Sequence, residues 1–251
     1  MTDTRHGGVT AVVTGAAQGI GEATARRLAV EGASVVLTDL SPRVEEAAER
    51  IRADGGRALA VRADVRDETS WDRVVEAARA GFGPVGILVS NAYTFEPSPV
   101  HETTLDSWER QLAVNLTGAF LGVRACLGDL SATNGSVVVT SSVHAWFGLP
   151  DRPAYATTKG GLTALTRQLA VEYGPRVRVN CVLPGPVLTA AWEGVGEEER
   201  RDSVGQTAAG RFGDPDEVAS VISFLASREA SYVTGVSLPV DGGWSIYKAS
   251  S

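Results

Sequence analysis

Short runs of aliphatic and β-branched residues recur along the chain, each separated from an amphipathic stretch by glycine, proline or an acidic residue. The first, residues 9–13, reads Val-Thr-Ala-Val-Val, a composition suited to a strand buried on both faces. Similar runs near 34–39, 57–62, 86–90, 135–141, 176–182 and 236–240 predict six more strands. Between them apolar positions return at helical spacing near 19–31, 43–54, 67–81, 104–129, 154–173 and 214–227. Strand–helix alternation of this kind predicts an α/β fold, a three-layer doubly wound sheet of about seven parallel strands with helices on both faces. No repeat, low-complexity tract or linker divides the chain, so residues 1–251 are expected to form one domain. Loose ends are expected in the first few residues and at 248–251.

Ligands of such sheets bind beyond the carboxyl ends of the strands. Gly15, Asp39, Asp64, Asn91, Ser142 and Pro184 each end or follow a strand, which places them on one rim. The first strand enters Thr14-Gly15-Ala16-Ala17-Gln18-Gly19-Ile20-Gly21, ahead of a helical pattern. Glycines there allow a tight bend and let backbone N–H groups approach a diphosphate, to which the helix N-terminus adds its positive dipole end. The spacing is G-x-x-x-G-x-G rather than the G-x-G-x-x-G of the better-known Rossmann fingerprint.

Asp39 ends the second strand, eighteen residues beyond Gly21. A carboxylate at that place can accept hydrogen bonds from ribose hydroxyls and would repel a 2′-phosphate. Leu40, Ser41 and Pro42 intervene before Arg43, and Gln18 is uncharged, so NAD is expected in preference to NADP. Asp39 is also placed to cap the helix that begins near Pro42, and the two roles are compatible.

Tyr155 and Lys159 form a Y-x-x-x-K pair inside a helical pattern, one turn apart on one face, with Ser142 thirteen residues before the tyrosine. A free tyrosine titrates near ~10 and is a poor base at neutral pH. A positive charge close by favours the phenolate, and a serine can hydrogen-bond the oxygen that exchanges the proton. Taken alone the spacing is also that of an ordinary half-buried helix residue.

These motifs together resemble the short-chain dehydrogenase/reductase family, in its single-domain form of about 250 residues, from roughly Val9 to Trp244. Thr14 to Gly21 resembles the family's T-G-x-x-x-G-x-G, and Asp64-Val65 the pair that meets the adenine. Ser90-Asn91-Ala92-Tyr93 stands where the family has N-N-A-G. Pro184-Gly185-Pro186-Val187-Leu188-Thr189 resembles the segment that touches the nicotinamide carboxamide and the phosphates. Arg211-Phe212-Gly213 and Val240-Asp241-Gly242-Gly243 match its closing signatures. The resemblance implies a catalytic tetrad of Asn115, Ser142, Tyr155 and Lys159, with Asn115 positioning a water in the proton relay. It also implies cofactor contacts from Gly15, Gln18, Gly19, Ile20, Gly21, Asp39, Leu40, Asp64, Val65, Asn91, Ala92, Tyr155, Lys159, Pro184, Gly185, Val187 and Thr189. The cofactor half is then about 8–140 and the catalytic and substrate half about 141–245.

Two departures bear on the pocket rather than the chemistry. Tyr93 replaces a glycine beside the expected nicotinamide ribose, and Ser90 an asparagine. His144 follows the serine where a small residue is common, and either touches substrate or packs on a neighbouring loop. Residues 188–210, the one irregular insertion, correspond to the family's mobile cover over the substrate, with Trp192 and Val195 as its inner face and a charge run, residues 197–202, as its solvated face. Ser142, Tyr155, Tyr93, His144 and Trp192 are the expected substrate contacts. Trp146-Phe147 and Tyr93-Thr94-Phe95 are expected to form an aromatic opposite wall, suggesting a partly apolar substrate.

Composition narrows the partners. A formal net charge of −7 and the lack of a basic stripe argue against nucleic acid and anionic membrane surfaces. No apolar stretch reaches a membrane span, and Met1 to His6 lack the apolar core of a signal peptide, so a cytoplasmic location is expected. Cys126 and Cys181 sit in apolar contexts as reduced core residues, and no Cys/His cluster has metal spacing, so no metal is expected. The expected activity is hydride exchange between NAD and a secondary alcohol or ketone, with a homotetramer implied by the resemblance. Rival readings are an idle NAD-binding scaffold or sensor, and an NADP-dependent carbonyl or 3-oxoacyl reductase. A lyase of the halohydrin type is disfavoured because the glycine turn and Lys159 are intact.

Overall fold

The computed structural model of the protein describes residues 4–248. Seven strands, β1 (Thr10–Thr14), β2 (Ser34–Asp39), β3 (Arg57–Arg62), β4 (Val85–Ser90), β5 (Ser136–Thr140), β6 (Arg178–Pro184) and β7 (Ser237–Val240), form one all-parallel sheet in the order β3-β2-β1-β4-β5-β6-β7. Strand order reverses between β1 and β4, so the crevice beyond their carboxyl ends is the switch point where such sheets take ligands.

Successive strand residues point to opposite faces, and the core divides accordingly. Ala11, Val13, Val35, Leu37, Ile87 and Val89 pack beneath α1 (Gly19–Val30), α2 (Val44–Ala53) and α8 (Pro215–Ala226), through Leu28, Ile51, Ile222 and Leu225. Val12, Val36, Leu88, Val137, Val139 and Leu183 face the other way, toward α3 (Glu68–Phe82), α5 (Gly118–Thr133) and α6 (Pro153–Tyr173), through Trp71, Val74, Cys126, Leu130 and Leu162. Both faces being covered explains why the strands read as continuous apolar runs instead of alternating ones. Cys126 and Cys181 are buried and unbridged.

Three elements differ from the sequence expectation. The helix expected over 104–129 is interrupted: α4 (Leu105–Leu112) passes through a π turn at Ala113–Thr117 into α5. Strand β6 starts two residues late, because the N–H groups of Arg176 and Val177 still close the turn after α6 on the Tyr173 carbonyl. Helix α2 starts at Val44 with no side-chain cap, since the Asp39 carboxylate is engaged elsewhere, by the N–H of Ser41 at 2.9 Å and of Ala17 at 3.1 Å. The insertion at 188–210 contains a 3₁₀ turn, Ala190–Trp192, and a helix, α7 (Glu197–Gly205), whose charged residues are largely exposed. Residues 1–3 and 249–251, within the expected loose ends, lie outside the described residues.

Candidate active site

The turn after β1 needs its glycines for two separate reasons. Gly15 and Gly19 adopt φ of +64° and +60°, a left-handed backbone that side chains disfavour. Gly21 is excluded from being larger by contact, since a Cβ there would stand 2.1 Å from the Gly15 carbonyl oxygen and 2.6 Å from Asn91 Nδ2. Thr14 locks this turn to the end of β4, its Oγ1 accepting from the N–H groups of both Asn91 and Ala92 at 2.9 Å. Asn91 answers by donating from Nδ2 to the carbonyls of Thr14 and Gly15. Helix α1 then opens at Gly19 behind an extended Gln18, with no side chain capping its first turn. A close-approach glycine turn, an uncapped helix N-terminus and a carboxylate ending β2 together fit a dinucleotide, with orphan N–H donors for its diphosphate.

The segment after β6 closes this rim from the other side. Val187 bridges to Gly213, and a Cβ on Gly19 would lie 3.4 Å from the Thr189 side chain, so Thr189 rests against the glycine turn. Gly185 is held to its size by Asp241, whose Cβ would be 2.7 Å away from an added side chain. Of the other expected cofactor residues, Leu40 is exposed and its carbonyl accepts from Arg62 Nε, while the Val65 carbonyl accepts from Trp71 Nε1. The Asp64 carboxylate is gripped by the Arg66 guanidinium, whose hydrogen bond holds it below the usual carboxylate range.

Beyond β5, Ser142 is extended and accepts the His144 N–H at 3.3 Å, and the chain returns as α6, which begins with Pro153. Tyr155 and Lys159 lie on one face of α6, the lysine 2% exposed. Lys159 Nζ donates to the Thr140 carbonyl at 2.9 Å, and Ser141 Oγ donates to the Lys159 carbonyl at 2.8 Å, so the end of β5 and the first turns of α6 are bolted together. The ammonium stands 5.3 Å from the Tyr155 ring centroid and 5.5 Å from that of Tyr93. Burial pulls Lys159 down to about 8. Burial, with Tyr93 second, pushes the Tyr155 phenol above its ordinary value, while Ser142 and Arg152 act in the lowering direction. Here the structure differs from the expected balance: desolvation outweighs the lowering effects of Ser142 and Arg152.

Three rings meet the Tyr155 ring edge-on: Phe95 at 5.1 Å between centroids, His144 at 5.6 Å and Tyr93 at 6.3 Å. The loop carrying two of them is fastened by Asn115, held on the π turn. Its Oδ1 accepts the Thr94 N–H at 2.7 Å, and its Nδ2 donates to the Thr94 carbonyl at 2.9 Å and to Thr158 Oγ1 at 3.2 Å. The side chain of Asn115 is therefore spent on protein groups.

Not every expected residue joins this group. Trp192 packs edge-on against Phe212 at 4.6 Å and Phe147 against Trp244 at 5.6 Å, and neither pairs with the Tyr155 ring. Motif reading gave Thr14 no role beyond opening the glycine motif, and passed over Thr158 and Arg152. The first two bond to backbone or amide groups whose positions exist only in the fold, and nothing in the spacing of Arg152 marks it.

The comparisons agree with this architecture. The family model described as enoyl-(acyl carrier protein) reductase matches residues 15–245. Similar proteins include a 2,5-dichloro-2,5-cyclohexadiene-1,4-diol dehydrogenase of Sphingobium indicum, 38% identical over 96% of this chain and 98% of that one. A cis-4-hydroxycyclohexanecarboxylate dehydrogenase of Sinomonas cyclohexanicum is 42% identical over 93% and 95% of the two chains. Among solved structures, a short-chain dehydrogenase/reductase of Serratia marcescens, a double mutant, superposes with a TM-score of 0.91 at 35% identity, covering 96% of this chain and 99% of that one. With sheet order, glycine turn and relatives in agreement over nearly its whole length, the chain belongs to the short-chain dehydrogenase/reductase family, and it is an oxidoreductase.

Proposed function

We propose that the protein exchanges a hydride between NAD and a cyclic secondary alcohol or its ketone, with Tyr155 as general acid and base. The observation that carries this reading is the convergence of Ser142, Tyr155 and Lys159 beside a glycine turn at the switch point of the sheet. When bound, NAD supplies a hydride acceptor. Gly15, Gln18, Gly19, Ile20 and Gly21 would hold its diphosphate, Asp39 and Leu40 its adenosine ribose, and Asp64 and Val65 its adenine. Asn91, Ala92, Pro184, Gly185, Val187 and Thr189 would hold the nicotinamide end.

The residues of the chain do the rest. Ser142 donates a hydrogen bond to the substrate oxygen. Tyr155 takes the hydroxyl proton during oxidation and returns it during reduction. Lys159, mostly charged at pH 7 because its value is about 8, favours the phenolate against the desolvation that opposes it. Asn115, through its backbone, holds the water that passes the proton onward. Tyr93 and Phe95 form an apolar wall suited to a ring, with the His144 ring beside them, in keeping with relatives that act on cyclohexadiene diols and hydroxycyclohexane carboxylates. Trp192 and residues 188–210 would close over the substrate and exclude water.

Arg43 favours a second reading. Its Nη1 donates to Gln18 Oε1 at 3.1 Å, which brings a guanidinium to the edge of the glycine turn where a 2′-phosphate would lie. That contact supports NADP as the cofactor, and with it a carbonyl or 3-oxoacyl reductase. Formation of reduced cofactor from a panel of cyclic and acyclic secondary alcohols, with NAD⁺ and with NADP⁺, separates the two. Turnover of cyclic alcohols with NAD⁺ upholds the first reading. Turnover confined to NADP upholds the second, and tight NAD binding without turnover of any substrate points to an idle scaffold. A homotetramer paired through α4–α5 and α6, where Phe120 and Val171 are exposed, belongs to the same reading and is checked by light scattering.

A further inference from the structure

We propose that Arg152 is an anion-binding residue of the substrate pocket, and that the alcohol handled there carries a carboxylate. This rests on the dehydrogenase reading above, and adds to it the chemical class of the substrate.

Arg152 immediately precedes the helix that carries Tyr155 and Lys159. The residue before it, Asp151, is one of two non-glycine residues with positive φ among those described, at +63°. Such a backbone persists where its surroundings enforce it. They do so here, because the Asp151 carbonyl accepts the Ser98 N–H at 2.9 Å, tying this turn to the loop that bears Tyr93 and Phe95. The guanidinium is thereby laid over the Phe95 ring, with Cζ 4.8 Å from its centroid, and Phe95 in turn meets the Tyr155 ring. The cation thus stands one ring away from the phenol.

Its hydrogen-bonding capacity is not used by the protein. Arg152 Nε is buried and has no partner, and no carboxylate pairs with Arg152 among the described residues. The contrast is with Arg178, which donates to the carbonyls of Leu225, Ala230, Val233, Ala226 and Ser227, and with Arg110, which pairs with Glu96 and Asp106. A buried donor left without an acceptor is costly, so a site that keeps one is built for an acceptor from outside. His144 offers a second such atom: its Nδ1 is also buried without a partner, and its ring also meets Tyr155. Burial, together with Arg152, holds the imidazole down to about 4, so it is a neutral hydrogen-bonding group beside a cation.

The charge count selects the anion. One unpaired guanidinium with a neutral imidazole balances a single negative charge, and the planar fork of arginine matches a carboxylate. A phosphate would ask for a second free cation on this wall. Lys159 is committed to Thr140, and Tyr93 and Phe95 supply the rest of the surface. The substrate is therefore a hydroxy acid with an apolar skeleton about one ring wide between its hydroxyl and its carboxylate.

The test compares 4-hydroxycyclohexanecarboxylate with the neutral 4-hydroxycyclohexanecarboxamide in the intact protein with NAD⁺, and in parallel measures calorimetric binding of cyclohexanecarboxylate and cyclohexanecarboxamide. Arg152→Gln should lower kcat/KM for the acid by about 10- to 100-fold, chiefly through KM, while the amide shows only a smaller loss, confined to kcat, from removing a charge near the Tyr155 phenol. Arg152→Lys should restore part of the loss, which a merely structural defect would not allow. Calorimetric binding of the acid should fall in step, while the amide shows no dependence on Arg152. Equal losses for acid and amide, or an unchanged acid, overturn the proposal and leave the dehydrogenase reading standing. Binding of the acid that depends on Arg152, with no alcohol turned over, upholds the proposal and overturns that reading.

Discussion

Asn115 holds the backbone of Thr94 from both sides, accepting its N–H at 2.7 Å and donating to its carbonyl at 2.9 Å. One buried amide thus sets the position of Tyr93 and Phe95, the residues on either side, relative to Tyr155 on another helix. Replacement by alanine would strand both Thr94 groups and remove the donor to Thr158 Oγ1, which keeps its own bond to the Tyr155 carbonyl. Asn115→Ala should therefore lower unfolding stability by about 2–4 kcal/mol, as well as slowing turnover. Urea unfolding reads the first effect, and an unchanged midpoint would show that the clamp is dispensable.

Tyr155→Phe removes only the phenol oxygen and keeps the ring that Phe95, His144 and Tyr93 meet. Packing should survive, with NAD binding measured by fluorescence close to that of the natural protein, while turnover falls at least 10²-fold. Equal turnover in the variant would remove Tyr155 from its place as acid and base.

Asp39 serves two purposes that a single substitution separates poorly, since its carboxylate also accepts the Ala17 and Ser41 N–H groups. Asp39→Ala should narrow the ratio of kcat/KM for NAD over NADP, and destabilise the fold by about 1–3 kcal/mol. Arg43→Ala should widen the same ratio. A natural protein that already prefers NADP would contradict the role given to Asp39 and transfer selectivity to Arg43.

Acidification should weaken the fold through His6. Its ring is buried, with Nε2 3.0 Å from Ser223 Oγ and 3.5 Å from Glu31 Oε2, and burial lowers its value despite Glu31. The unfolded chain therefore takes up the proton first, and stability present above about pH 6.5 is lost as pH falls. Burial alone would raise Glu31, but its bonds with Ser223 and Arg27 hold it below 4.5, so its contribution is lost lower still. The melting temperature should drop between pH 7 and pH 5, and less steeply in His6→Leu. Parallel slopes in the two proteins would dismiss His6 as the cause.

Much of the site can be read from the chain, because much of it is local chemistry. Glycine at 15, 19 and 21, an acidic end to β2, and a Tyr-x-x-x-Lys pair one helical turn apart express constraints within a few bonds of the residues concerned. The alternation of apolar runs with helical patterns likewise determined seven strands, their parallel pairing and the rim on which the candidate site lies. What only the tertiary structure decided depends on contacts between segments distant in sequence. The long expected helix breaks at a π turn so that Asn115 reaches Thr94, and Asp39 turns from capping α2 to holding the glycine turn. The Ser98 and Asp151 contact brings Arg152 over Phe95. Desolvation belongs to the same class. The values of Tyr155, Lys159 and His144 follow from how many neighbours exclude water from each, a quantity that does not exist until the chain has closed around them.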